Sequence, residues 1–265
     1  MFSYGEKTYI MGILNVTPDS FSDGGDYVDV KKAISHALEM VEEGADIIDI
    51  GGESTRPGSS EVGEEEELKR VIPVVRELSK QIDIPISVDT YKEKVAKEAL
   101  ENGAKIINDV WGFQREPEIA KVVAKHGAYA VLMHNKNDTA YENDIVAEIK
   151  DFFKRSIKIA KEAGVLDEKI ILDPGIGFGK TPEQNIHLMS RIHELRDLGY
   201  PILLGTSRKS MIGKILDLPP KERVEGTVAT TVMGIIQGVD FVRVHDIKEN
   251  LRAAKVTDAI YRKRG

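Results

Sequence analysis

The 265-residue chain contains no cysteine, which excludes disulfides, thiolate metal ligands and a thiol nucleophile. No apolar stretch approaches the ~20 residues that cross a bilayer, and Met1 to Tyr9 is polar where a leader peptide would carry an apolar core. A cytoplasmic protein with no membrane partner is therefore expected. An excess of positive charge is also lacking. At a formal net charge of −7, the clustered Lys and Arg that neutralise phosphates along nucleic acid are not expected, and neither is a nucleic-acid partner. Metalloprotease, nucleophile-elbow and EF-hand patterns do not occur. Nor does any linker, low-complexity tract or shift of composition, so residues 1–265 read as one domain.

Short apolar runs recur from end to end and close on polar residues: Asn15, Asp49, Asp89, Asn108, His134, Asp173, the Ser207-Arg208-Lys209 turn, and Arg243 with His245. Runs of this length read as strands buried on both faces of a parallel sheet. The expected strands are Tyr9–Leu14, Ile47–Ile50, Ile84–Val88, Lys105–Asn108, Ala128–Met133, Ile170–Leu172, Ile202–Leu204 and Phe241–Val244. Amphipathic segments lie between them, among them Lys31–Glu43, Glu65–Lys80, Lys92–Asn102, Glu118–Lys125, Ile145–Ala163, Glu183–Leu198 and Val228–Gln237. Eight βα units in a chain near the roughly 250 residues typical of the fold predict a single (β/α)8 TIM barrel, with its site at the C-terminal ends of the strands.

Local signals agree. Thr90 to Glu93 and Thr181 to Gln184 both have capping-box spacing. Gly44, Gly103, Gly127, Gly164, Gly199 and Gly238 each follow a helical segment, where a left-handed cap is wanted. The acidic run Glu64 to Glu67 reads as a solvated helix start.

The strand ends carry the candidate chemistry. Loop 1, Asn15 to Gly25, is long and polar enough to close over a ligand. Loop 2, Gly51 to Gly58, offers Arg56, a fixed cation able to grip a carboxylate or phosphate through two hydrogen bonds. Asp89, Asn108 and Asp173, on different strands, suit a flat heterocycle rich in N–H and C=O groups. An anionic ligand needs concentrated cations, and Arg56, Arg208, Lys209 and Arg243 occupy loop or strand-end positions. The glycine-rich segment Gly175 to Thr181 fails the phosphate-loop test, because Pro174 stands where its first glycine is required. His36, His126, His187 and His193 read as exposed, Trp111 and Met133 as packing residues, and His134 as structural.

In order along the chain, Asn15-Val-Thr-Pro-Asp-Ser-Phe-Ser-Asp-Gly-Gly, Asp49-Ile-Gly-Gly-Glu-Ser-Thr-Arg-Pro-Gly, Ser87-Val-Asp-Thr, Ile107-Asn-Asp, Leu172-Asp-Pro-Gly-Ile-Gly-Phe-Gly, Thr206-Ser-Arg-Lys-Ser and Val242-Arg-Val-His-Asp closely resemble the dihydropteroate synthases. The resemblance implies a transferase of folate biosynthesis that condenses 6-hydroxymethyl-7,8-dihydropterin pyrophosphate with p-aminobenzoate. It implies pterin binding by Asp89, Asn108, Met133, Asp173 and Lys209. Asn15, Arg243 and His245 would hold the diphosphate, with Asn15 also touching Mg²⁺. Aminobenzoate would meet Thr55, Arg56, Pro57, Phe178, Lys209 and Ser210. Asp89, Lys209, Arg243 and His245 become the candidate catalytic set. A homodimer and sulfonamide inhibition are implied in the same way. The competing readings are a methyltetrahydrofolate-corrinoid methyltransferase and a noncatalytic pterin-binding barrel. Neither needs the diphosphate residues.

Overall fold

The computed structural model describes residues 1–17, 26–53 and 61–262. Its parallel strands are β1 (Tyr9–Asn15), β2 (Ile47–Gly51), β3 (Ile86–Asp89), β4 (Ile106–Asp109), β5 (Tyr129–Met133), β6 (Ile170–Asp173), β7 (Leu203–Leu204) and β8 (Phe241–Val244). The hydrogen-bonded order runs β6-β5-β4-β3-β2-β1-β8-β7. A parallel bridge between Leu172 and Ile202, with Leu172 N donating to Pro201 O, joins the two ends. The result is a (β/α)8 barrel.

Around it lie α1 (Asp26–Glu43), α2 (Glu64–Leu78), α3 (Glu93–Glu101), α4 (Glu118–Lys125), α5 (Ile145–Ala163), α6 (Pro182–Met189), α7 (Ser210–Leu216), α8 (Val224–Ile236) and α9 (Ile247–Tyr261). None of the described helices is long and apolar enough to cross a membrane.

Alternation along each strand divides the apolar residues into two cores. Met11, Ile47, Ile106, Val131, Ile171, Leu203 and Phe241 fill the barrel, while Ile10, Ile48, Val88, Ile107 and Leu132 pack outward beneath the helices. The same alternation that sends Ile47 inward sends Asp49 inward, and Ile106 is followed two residues on by Asn108. The polar floor is thus the last inward layer of the barrel. The opposite end is plugged by Phe2, whose ring meets Tyr9, Tyr129 and Phe241 edge-on at centroid distances of 4.9, 5.2 and 5.0 Å.

Several local expectations change. The segment Glu183–Leu198 is not one helix: α6 ends at Met189 and a 3₁₀ turn covers Ile192–Leu198. Ser190 Oγ donates to His187 O at 2.7 Å, and the Arg191 side chain reaches Asp144 and Glu194 instead of continuing the turn. The box at Thr181 forms in full, but the one at Thr90 does not. There the Glu93 N–H donates to Glu116 Oε2 at 2.8 Å, so a neighbouring carboxylate does the capping. Glu67 is not a solvated residue either. It is 1% exposed and ion-paired with Lys92. The strand and helix ends otherwise shift by a few residues, α8 beginning at Val224, and the six glycines all have positive φ.

Candidate active site

The centre of the floor is an arginine held between two carboxylates. Arg243, the third residue of β8, donates from Nε to Asp49 Oδ2 at 2.6 Å and from Nη2 to Asp89 Oδ2 at 2.8 Å. Asn108 Nδ2 donates to the same Asp49 oxygen at 3.2 Å. Residues from β2, β3, β4 and β8 therefore form one connected array. Asp49 closed an apolar run in the sequence but had no role deduced for it. Structurally it is the fully buried link between Asn108 and Arg243.

The array leaves acceptors for a ligand. Asn108 Oδ1 and Asp49 Oδ1 are buried and find no partner among the described residues, an arrangement that costs free energy unless a donor arrives. Burial pushes Asp89 up to about 7 against the pull of Arg243. Asp173 is also raised by burial, with the Lys209 ammonium opposing.

Asp173, Lys209 and Arg243 converge on Gly205, just beyond β7. A Cβ placed there would stand 3.7 Å from Asp173 Oδ2, 3.8 Å from Lys209 Nζ and 3.9 Å from Arg243 Cβ. Any side chain at this position would occupy the middle of the site. Lys209 Nζ donates to Ile176 O and lies 4.7 Å from the Phe178 ring centroid. Burial lowers Lys209 to about 8, although Asp173 pulls the other way. At neutral pH it remains mostly a cation. Met133, Tyr91 and Val110, with Trp111 and Phe178 against them, make an apolar wall beside these polar groups.

Asn15 ends β1 beside Gly51, whose position also faces Asp89. His245 follows β8, its Nδ1 2.9 Å from Ser207 Oγ, and its backbone N–H donates to the same hydroxyl. Ser210 opens α7 on the exposed rim. Arg208, one of the four cations expected to attract an anion, is held by Asp246, with Nε to Oδ2 at 3.0 Å. Its charge is already compensated. Thr55, Arg56 and Pro57, and loop 1 beyond Thr17, lie outside the described residues. Every other candidate site residue reaches the C-terminal face of the barrel.

The floor of inward carboxylates, an amide and two cations at the mouth of the barrel lies within the region, residues 11–245, that matches the family model described as pterin binding enzyme. A dihydropteroate synthase of Clostridium beijerinckii is 59% identical over 99% of this chain and 97% of its own length. The chain belongs to the dihydropteroate synthases. A crystal structure of the dihydropteroate synthase of Clostridium difficile in the presence of pteroic acid superposes with a TM-score of 0.98, at 62% identity, covering 99% of this chain and all of that one. The Xanthomonas albilineans dihydropteroate synthase with 4-aminobenzoic acid gives a TM-score of 0.92 at 43% identity, covering 97% and 94% of the two chains.

The residues also bear on the metal that dihydropteroate synthases are expected to use. Among the described residues no cluster of three His, Asp or Glu side chains could hold an ion. Mg²⁺ does not need one, since it commonly retains waters and binds through one or two protein oxygens plus substrate phosphates. The neutral side-chain oxygen of Asn15 at the floor's edge fits that mode.

Proposed function

We propose that this chain condenses 6-hydroxymethyl-7,8-dihydropterin pyrophosphate with p-aminobenzoate to give 7,8-dihydropteroate and pyrophosphate. The observation that carries the reading is the Asp49–Arg243–Asp89 array with Asn108 and Asp173 beside it: acceptors for a heterocycle's N–H groups, with permanent positive charge in the same layer. The pyrimidine edge of the pterin meets Asp89, Asn108 and Asp173, Lys209 reaches its ring, and Met133 packs against its face. The diphosphate lies toward Arg243, His245 and Asn15. Asn15 would hold Mg²⁺ there, and the ion would supply charge stabilisation for a leaving diphosphate.

The reduced pterin ring is electron-rich, so its exocyclic methylene can part from pyrophosphate before the amine attacks. The protein's contribution is electrostatic: Arg243 stabilises negative charge as it develops on the leaving group, and burial strengthens that effect. Aminobenzoate enters along Phe178 and the Lys209 stem. Its carboxylate lies toward Ser210, with Thr55, Arg56 and Pro57 closing the subsite and excluding water that would capture the cation. Sulfonamides, as analogues of this substrate, compete for the same place. Positional isotope exchange in labelled dihydropterin pyrophosphate tests the order of bond breaking. Scrambling without aminobenzoate is expected, and its complete absence would overturn the dissociative route.

The synthase reading is favoured over a methyltransferase or a noncatalytic barrel by Arg243 and His245, which neither alternative needs. A homodimer is supported by apolar side chains on α8 and α9, helices that pack together. Met233, Ile236, Val256, Ile260 and Tyr261 are each more than two-fifths exposed, an uncommon concentration on neighbouring helices of a monomer. A cytoplasmic enzyme agrees with the cysteine-free composition.

Calorimetry tests the pocket directly. Wild-type protein with Mg²⁺ should bind dihydropterin pyrophosphate, and Asp173→Ala should abolish it. Equal binding by both would contradict the assignment.

A further inference from the structure

Lys180 has no part in the chemistry described above, yet its ammonium is buried behind the site. Its three N–H donors meet three acceptors, Gly175 O, Phe178 O and His134 Nδ1, each at 2.9 Å. Among the described residues no carboxylate is hydrogen-bonded to it. Burial lowers Lys180 to about 7, with Asp173 the main charge opposing the fall, and three acceptors around one nitrogen match its protonated form, which donates three times and accepts none. Two of the three acceptors belong to the β6–α6 loop itself, residues 174–180, which folds around the ammonium.

That loop sets three parts of the pocket. Gly175 N donates to Asp173 Oδ1 at 2.7 Å, Ile176 O receives Lys209 Nζ, and Phe178 presents its ring to the same lysine. The loop runs hard against β5. A Cβ at Gly175, where φ is +67°, would come within 2.0 Å of His134 O, so no side chain fits there. His134 continues the β5–β6 ladder by donating its backbone N–H to Asp173 O at 2.9 Å. Its ring is wedged against Phe152, 4.8 Å away between centroids. Facing a protonated Lys180, the imidazole accepts at Nδ1 and is the neutral Nε2–H tautomer. Burial first, and then the neighbouring Lys180 charge, depress it to about 2, so it stays neutral.

We propose that Lys180 is a positioning residue for this reaction, and that with His134 as its third acceptor it fixes the loop that delivers Asp173, Phe178 and the resting contact of Lys209 to the pterin pocket. The assignment rests on the synthase reading above. It is separable from that reading because pterin binding alone reports it.

The test is calorimetric binding of dihydropterin pyrophosphate with Mg²⁺, together with kcat/KM, for Lys180→Met, His134→Leu and His134→Asn, all held well below their melting temperatures. Lys180→Met should weaken binding and kcat/KM on the order of 100-fold, the loss that ångström-scale misplacement of a reacting partner causes. His134→Leu leaves a buried N–H donor unsatisfied and should cost about tenfold. His134→Asn can return an acceptor oxygen near the position of Nδ1 and should restore binding to within about threefold of wild type. A purely structural role would lower the melting temperature of each variant and leave the affinity of the folded protein unchanged, which would overturn the proposal. Equal weakening by His134→Asn and His134→Leu would also overturn it. The His134 pair carries the test if Lys180→Met does not fold. A wild-type protein that binds the pterin without condensing it would remove the catalytic reading and leave these binding comparisons decisive.

Discussion

Arg243 Nη2 donates to Asp89 Oδ2 at 2.8 Å across the barrel floor, although the two residues stand 154 positions apart in the chain. With Nε engaged by Asp49, the guanidinium is the shared counter-ion of two buried carboxylates. Those contacts raise its affinity for the proton further, so it stays charged at any working pH. In the proposed mechanism the same cation would serve stability before substrate binds and leaving-group stabilisation afterwards.

Removing it should expose both roles. Arg243→Met leaves two acids unpaired in the barrel and should destabilise the fold by about 3 kcal/mol in urea titrations. Adding Asp49→Asn should recover part of that stability but none of the activity. Recovery of turnover by the double variant would show that Arg243 acts only as a structural counter-ion.

Lys209 should set an alkaline limit. Burial holds it at about 8, so kcat/KM for the pterin substrate should fall as pH rises through that value and the ammonium is lost. Lys209→Arg, permanently charged, should be less active but show no such limb. An alkaline limb unchanged in the variant would assign it to another group.

Asp109 gives a stability signature. It is fully buried, accepts N–H groups from Trp111 at 2.7 Å and Phe113 at 2.8 Å, and is pushed by burial from 3.8 to about 7. The folded chain therefore holds a proton that the unfolded chain releases. That stabilisation is complete below pH 3.8 and is lost as pH rises to about 7. Relative to Asp109→Asn, the wild-type protein should lose unfolding free energy across this interval. A pH-independent difference between the two would contradict the buried, protonated carboxyl.

Lys92 is clamped between Glu53, at 2.5 Å, and the buried Glu67. Lys92→Met should cost about 3 kcal/mol by stranding Glu67, and Lys92→Met with Glu67→Leu should recover most of it. An additive loss in the double variant would mean that the pair makes no net contribution.

The barrel was legible because short runs closing on polar residues repeat eight times, and the direction of each floor residue follows from period-two alternation. Asp89, Asn108, Asp173 and Arg243 were found this way. Asp49 was harder to assign because a carboxylate closing a strand also reads as a helix cap, and its partner Arg243 lies 194 residues away. Lys180 was hidden for a related reason. Its acceptors are two carbonyls and an imidazole, none marked by residue type, and its glycine-rich neighbourhood suggested a phosphate loop only to fail that spacing. Glu67 misled because an acidic helix start is usually solvated, and nothing local shows that Lys92 reaches it from the next βα unit.

The most direct test of the central claim supplies purified protein with Mg²⁺, dihydropterin pyrophosphate and p-aminobenzoate, and follows pyrophosphate and dihydropteroate together. The account predicts equimolar formation of both products, abolished in Asp173→Ala. Tight pterin binding by the wild-type protein with no dihydropteroate formed would contradict it.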